Sequence, residues 1–504
     1  MILRKIFVVF ADSFCRIKIL ANPIKNFLVA RFQTAKSIWE NEFVAPVKSI
    51  KLSYLPPLMV YFAAGVSGLT GVVETFIVTK VLGMEANLLA VLAFWAGIWW
   101  AFKMPIGHLV DLFWRFKEFF VFLGAALMAL SFGIMIGLTG YFETMTKYTS
   151  AESWYIIMAL IAPFAYMLQD VVADAMTTEA IPRFNSDGSR REEKEMRPEH
   201  ITMQLLGRAA ILFGGLVVAG ASGWFAQMPA ASTAMIMAKI GFGVIAAVIA
   251  IKTFKRVFKQ KIEKWIIGIA VCLVLGLGIW MGISFFSRQF PVWFANVKSY
   301  EMIYYLAMLI PISSISGVAL AFILRRKKKK NLLKQGFSDQ AIKEMLRSKG
   351  EEKPKVNWWI MVGSAVFLAI VVPLGLLSLT FKMRAEIIPI VKMKIADLPF
   401  GFAGWLPAHA DDFLFLGSLF VLCFLIVKIA KELTPEARQM LVGTAIIVFI
   451  FRMMPSVGAG LNFYYIERLK FDESFLGTLS QIGSFIALFG LFFLRPMMAK
   501  KSLA

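Results

Sequence analysis

Apolar residues recur along the chain in runs near twenty long, each closed by a short polar or charged stretch. A helix needs about 20 apolar residues to cross the hydrocarbon core of a bilayer. On that measure spanning helices fall at 56–79, 88–106, 117–139, 153–175, 203–226, 234–251, 265–286, 302–324, 358–380, 411–430, 439–462 and 475–495. The pattern predicts an all-α polytopic membrane protein, a bundle of about 12 transmembrane helices. The fourth run differs from the rest. YIIMALIAPFAYMLQDVVADAMTTE (155–179) is apolar for about fourteen residues and then carries Asp170 and Asp174, which share one helix face. A carboxylate inside hydrocarbon is costly and usually faces a bundle interior or a polar cavity. At headgroup depth the same two residues would only mark the helix end.

The connections alternate in charge. Basic residues gather at 103–117, 183–197, 252–264, 325–330 and 428–438, whereas 140–152, 227–233 and 287–301 are poor in them. The 381–410 and 463–474 gaps follow the alternation less clearly. By the positive-inside rule both termini are cytoplasmic; the expected location is a bacterial inner membrane. Residues 1–55 read as a basic cytoplasmic arm lying on anionic lipid, and 496–504 as a cytoplasmic tail. Two soluble connections stand out. Residues 176–202 form a polar, turn-rich loop with a mobile centre. The 325–357 loop opens RRKKKK; Ser338 or Asp339 can cap a short helix with Ile342, Met345 and Leu346 on one stripe.

Composition narrows the class further. Of 504 residues 59% are hydrophobic and 17% charged, against about 25% charged in a soluble domain. The net charge of +22 resides in the connections, without the basic-and-aromatic interleaving that stacks bases, so nucleic acid is excluded as a partner. Cys15, Cys272, Cys423 and the three histidines are scattered, so neither a metal nor a cofactor is expected. Arg16, Lys18 and Lys25 follow the short apolar stretch 6–14 where a signal peptide would carry small residues. The spans hold no Ser/His, paired-Asp or metal-ligand spacing of an intramembrane enzyme.

Charges within the spans are the candidate chemistry. Glu74, one turn after Thr70, is a candidate protonation site. Arg208 lies close in depth to Asp174 and Asp170, which predicts an interhelical ion pair. Arg452, near mid-depth, can contact an anionic substrate or neutralise a carboxylate, and Lys239 can snorkel. Glycines recur at 65, 68 and 71 and at 207, 214, 215, 220 and 223, as in closely packed membrane helices. The chain also repeats itself: FIVTKVLGMEANLLAVL (76–92) parallels YYIERLKFDESFLGTL (464–479), with Glu85 set against Glu473. Such repeats are common in secondary transporters.

AYMLQDVVADAMTTE (165–179) resembles the fourth-helix signature of the folate–biopterin transporter family of the major facilitator superfamily. The QD-x-x-x-DA pattern is similar, more distantly, to the muropeptide and acetyl-CoA permeases. GHLVD (107–111), with Arg115 and Lys117, resembles the superfamily's loop between helices two and three, with Leu112 where an arginine usually follows the aspartate. RMMPSVGAGLNFYYIERLKFDESFLGTLSQIGS (452–484) resembles the family's seventh and eighth helices. The resemblance implies a first six-helix half over 56–251, an insert of four helices over 265–430, and 439–495 as the start of a second half that stops after two helices. A partner chain supplying the remaining helices would complete it.

The function implied is proton-coupled secondary transport of a small polar or anionic organic solute, folate- or pterin-like, by alternating access. Glu74, Asp170, Asp174, Arg208, Arg452 and Asn462 would bind or couple; Gly107, Asp111, Arg115 and Lys117 would gate. The alternative is a non-transporting scaffold or assembly factor on a transporter-derived fold. Reporter fusions at 146, 190, 295, 340 and 504 should read outside only at 146 and 295. A cytoplasmic signal at either of those, or an external one at 190 or 340, overturns the topology.

Overall fold

The structure, a computed structural model, describes residues 44–113, 116–185, 189–257, 291–345, 358–382, 409–431, 433–453 and 458–494, with scattered positions at 40 and between 276 and 289. The arm up to 39, Arg115, most of the expected span at 265–286, residues 346–357 and 383–408, and the tail lie outside the described residues. Among the described residues every regular element is helical; the one extended pairing is an isolated bridge between Phe184 and Arg190.

The main helices are α1 (Leu55–Val66), α2 (Gly71–Phe76), α3 (Ala86–Ala101), α4 (Lys103–Leu112), α5 (Lys117–Gly140), α6 (Ala151–Ala180), α7 (Glu193–Ala226), α8 (Ala230–Val257), α9 (Ser299–Ala307), α10 (Leu309–Lys334), α11 (Trp358–Lys382), α12 (Ala410–Lys431), α13 (Pro435–Met453), α14 (Gly458–Phe463) and α15 (Glu473–Phe493). Among the described residues eight stretches are long and apolar enough to cross a membrane: Leu52–Val81, Leu88–Leu112, Lys117–Gly140, Ala151–Ala180, Lys194–Ala226, Ser299–Lys334, Trp358–Gly375 and Glu473–Phe493. The chain is an all-α integral membrane protein. The loop after α6 is shorter than its composition implies, because the helices run to Ala180 and restart at Glu193. Arg191 ties it down through the Pro182 carbonyl (3.1 Å) and Glu199 (2.9 Å). The short helix beyond α10 forms as expected over Asp339–Met345, with Ser338 Oγ accepting from the Ala341 amide and Ile342 buried.

Helix α7 organises the packing, holding α1 on one side and α15 on another. Lipid supplies no hydrophobic drive between helices, so contact depends on how closely backbones approach. Here glycines set the distance. A Cβ at Gly65 would meet the Ile211 carbonyl oxygen at 2.0 Å, and one at Gly214 the Phe62 oxygen at 2.6 Å. At the second crossing a Cβ at Gly223 would meet the Glu473 oxygen at 2.0 Å, and one at Gly477 the Ala219 oxygen at 2.8 Å. Gly71 meets nothing within 4 Å, so the regular spacing at 65, 68 and 71 is not a single packing stripe.

Chain order and packing order diverge after α7. The helix seated against α1 and α5 is α10, with Gly317 against the Pro56 oxygen, whereas α8 contributes Ala230 and Ala234, near its start, to the apolar core. The bundle around α1 thus takes its sixth member from 299–334, inside the expected insert. Helices α11 and α12 form a hairpin that touches α3 and α4 through Gly375 on Trp95 and Phe367 on Phe102.

The internal repeat is present in the backbone. Ile77–Val81 and Tyr464–Arg468 are both five-residue π turns. Each is closed by two matching bonds, Leu82 N to Ile77 O (2.8 Å) and Met84 N to Val78 O (3.0 Å), then Leu469 N to Tyr464 O (3.1 Å) and Phe471 N to Tyr465 O (3.0 Å). Gly83 (φ 60°) and Lys470 (φ 56°) then turn left-handed, and Glu85 and Asp472 start the next helix from extended backbone. This register pairs Glu85 with Asp472, one residue from the sequence alignment, because Asp472 Oδ1 accepts the Phe475 amide at 2.7 Å as the cap.

Gly65→Val and Gly223→Val should sharply lower the monodisperse yield from detergent, while Gly71→Ala should match the parent. Equal yields for all three would mean that the close crossings do not hold the bundle.

Candidate functional site

Two polar centres lie inside the bundle, at different depths. The first is a cavity of about 420 Å³ between α1–α2, α3, α5, α6, α9 and α14. Its first wall is an interrupted helix. After α1 a 3₁₀ turn over Ser67–Leu69 precedes α2, with Ser67 Oγ bonding the Ala64 oxygen (2.6 Å) and Thr75 Oγ1 the Gly71 oxygen (2.8 Å). Irregular backbone at membrane depth is tolerated where it lines a cavity. In the opposite wall Pro163 interrupts the hydrogen-bond ladder of α6 and frees the Ala159 carbonyl beside the same space.

Glu74 is the one charged side chain lining this cavity among the described residues. Tyr155 OH donates to its Oε1 at 2.8 Å, which holds the carboxylate in place and leaves lone pairs on both oxygens for a ligand. Ser131 Oγ and Tyr304 OH also line the cavity; both are buried and lack a hydrogen-bond partner among the described residues. An unmet buried hydroxyl costs about 1–3 kcal/mol, a cost that a hydrogen-bonding guest removes. Asn462 and Phe463 close the cavity from α14, with Asn462 at the repeat position of Thr75.

The second centre lies toward the end of the bundle that carries the basic connections. Pro105, lacking an N–H, cannot continue the ladder of α3, and the helix restarts at Lys103. Lys103 Nζ then sits 2.5 Å from Asp170 Oδ2 and 2.7 Å from Asp174 Oδ2. One ammonium therefore serves both carboxylates. Tyr61 OH also donates to Asp174 Oδ1. Next to Asp170 on α6, Gln169 accepts from Ser314 Oγ at 2.9 Å and donates to the Val121 oxygen at 3.3 Å, joining α6 to α10 and α5.

The expected pair between Asp174 and Arg208 is not formed. Arg208 is exposed on α7, and Lys103 takes the position facing Asp174. The sequence reading counted Lys103 only as a loop charge. Its signal was that it ends a long apolar run at a depth matching Asp170. Tyr155, Tyr304 and Ser131 gave no signal, since hydroxyls in apolar runs are ordinary. Arg452 is on α13, one residue from its end, and its side chain lies outside the described residues. Within the span expected over 439–462 the described residues are α13, to Met453, and α14, from Gly458, where the backbone is left-handed (φ 61°).

Of the expected gating residues, Gly107 faces α6, where its Cβ would lie 3.8 Å from Val171. Lys117 bonds Glu179 and so ties the start of α5 to the end of α6. Asp111 lies on α4, partly buried. The structure thus gathers Glu74 with Asn462 and Asp170 with Asp174, in two separate places. No known protein family, curated protein or solved structure matches this chain.

Lys103→Ala strands Asp170, which is 7% exposed, and breaking a buried pair costs about 3–5 kcal/mol. Asp174 is 36% exposed, so Asp174→Asn should cost far less, toward the 0–1 kcal/mol typical of solvated pairs (about). Thermal unfolding in detergent should rank Lys103→Ala well below Asp174→Asn, with Arg208→Ala near the parent. The reverse order would remove Lys103 from the centre.

Proposed function

We propose that the protein is a secondary transporter of a small polar organic solute, with the Glu74 cavity as its binding site. The observation that carries this reading is the set of unmet hydrogen-bonding groups in that cavity, Ser131 and Tyr304 beside Glu74 and Tyr155. The cavity is walled by both repeat units, α2 from one and α14 from the other, as a binding site at a repeat interface is.

The resemblance to folate–biopterin transporters of the major facilitator superfamily suggests the solute class. A pterin presents a ring N–H and an exocyclic amino group side by side, a donor pair that one carboxylate can accept. Glu74 offers that acceptor, and Phe132, Tyr155, Tyr166 and Phe463 offer aromatic faces to a flat ring. With Glu74 as the charged lining group, the solute is bound as a hydrogen-bond donor more readily than as an anion. Glu74 then serves as the proton site, being protonated when the solute is absent. In this reading twelve spans lie in a plasma membrane with both termini cytoplasmic. The Lys103 centre closes the cytoplasmic side, and α11–α12 supplies part of what the short second half lacks.

Uptake into proteoliposomes tests the reading, with a panel of pterins, folates and peptide-sugar fragments and an imposed proton gradient. The parent should accumulate a pterin-like solute. Glu74→Gln should abolish gradient-driven accumulation, and Tyr155→Phe should weaken it. Flux for none of the panel, in any gradient, would favour the scaffold reading. Gradient-driven uptake unchanged in Glu74→Gln would move the coupling elsewhere.

A further inference from the structure

A second cavity, of about 680 Å³, lies between α1, α5, α6 and α10 at the basic end of the bundle, apart from both polar centres. Its lining is divided by chemistry. Toward the bundle it is apolar, with Val121, Val172, Met176 and Val318, and the exposed Phe322 lines its outer side. At its mouth stand Lys117, Arg183, Arg325 and Lys328, against the carboxylates Glu118 and Glu179. Lys117 is bonded to Glu179, so Arg183, Arg325 and Lys328 leave a positive surplus that Glu118 only partly offsets. Helix α10 supplies much of this arrangement. It continues unbroken from its apolar turns through the RRKKKK run to Lys334, which carries its cations straight out of the apolar layer.

An apolar slot with a cationic mouth, set where spanning helices leave hydrocarbon, matches one kind of molecule: an acyl chain joined to an anionic headgroup. We propose that this cavity binds an anionic glycerophospholipid. The phosphate lies among Arg183, Arg325 and Lys328, and the glycerol and upper acyl chain lie along Phe322, Val172 and Met176. The inference does not depend on the transport reading, since it uses none of the residues of the Glu74 cavity. Bound there, the lipid bridges α10 to the ends of α5 and α6.

Native mass spectrometry of the full chain in detergent tests this, with added phosphatidylglycerol, phosphatidylcholine or inorganic phosphate. The parent should retain phosphatidylglycerol in preference to phosphatidylcholine, and phosphate alone should leave no adduct. Arg325→Ala with Lys328→Ala should lower phosphatidylglycerol retention about tenfold or more, as loss of two headgroup cations implies. Lys329→Ala with Lys330→Ala, from the same run but outside the cavity, should leave retention near the parent's. Ala321→Phe narrows the slot without changing charge and should also displace the lipid, which keeps the test valid if the double variant folds poorly. Equal retention of the two lipids overturns the proposal. So does an equal loss from the Lys329/Lys330 pair, which would show a diffuse charge effect, and so does a phosphate adduct as strong as the lipid's.

Discussion

Backbone contact along α7 is the constraint on which the rest of the bundle depends. Gly214 on one side and Gly223 on another let α1 and α15 approach to distances that no Cβ would permit. In a membrane that approach is the main source of cohesion, because lipid chains solvate an apolar side chain as well as a neighbouring helix does. The consequence reaches the cavity directly. With α15 held against α7, α14 is brought to the open side of α2 and α3, and Asn462 and Phe463 complete a wall that the first helices leave unfinished. Polar bonds reinforce the docking: Tyr300 OH (2.6 Å) and Gln227 Nε2 (3.3 Å) both donate to Glu473 at the start of α15, and farther along Gln481 Nε2 donates to the Leu216 oxygen at 3.3 Å.

The two polar centres divide two kinds of work. At Lys103 the groups satisfy one another: an ammonium, two carboxylates and a phenol leave little unpaired. Such a centre fixes helices α1, α4 and α6 in one arrangement. In the Glu74 cavity the groups are left partly unmet, which favours a guest. The difference explains why the most conspicuous carboxylates in the sequence are not the ones that face the cavity.

Eight of the twelve expected spans and the short capped helix after α10 were legible because each rests on local pattern: apolar run length, breaks in charge, and a serine ahead of a helix. The repeat was legible for the same reason, and only its register needed the Asp472 cap to correct it. Partners were not legible. Asp174 has cations within reach on two helices, and nothing in the spacing favours Lys103 over Arg208; the restart at Pro105 decides it. The seating of α10 in place of α8 against α1 was hidden for a related reason, since adjacency in the chain says little once helices are inserted. Glu74 and Asn462 were named singly, and only the fold brings them to one cavity.

The most direct measurement is a cysteine cross-link across the docking that builds this cavity. With the native cysteines replaced by serine, Gln227→Cys and Glu473→Cys stand where the parent side chains are 3.3 Å apart, on α15 and at the end of α7. A protease site placed between 346 and 357 would separate the two halves of the chain unless they are bridged. Treated in native membranes with a short, reducible bis-methanethiosulfonate cross-linker, which spans the gap left when two long side chains that meet at their tips become cysteines, the cleaved chain should stay joined until a reductant is added. Fragments that separate at once, in protein that is otherwise folded and monodisperse, would contradict it.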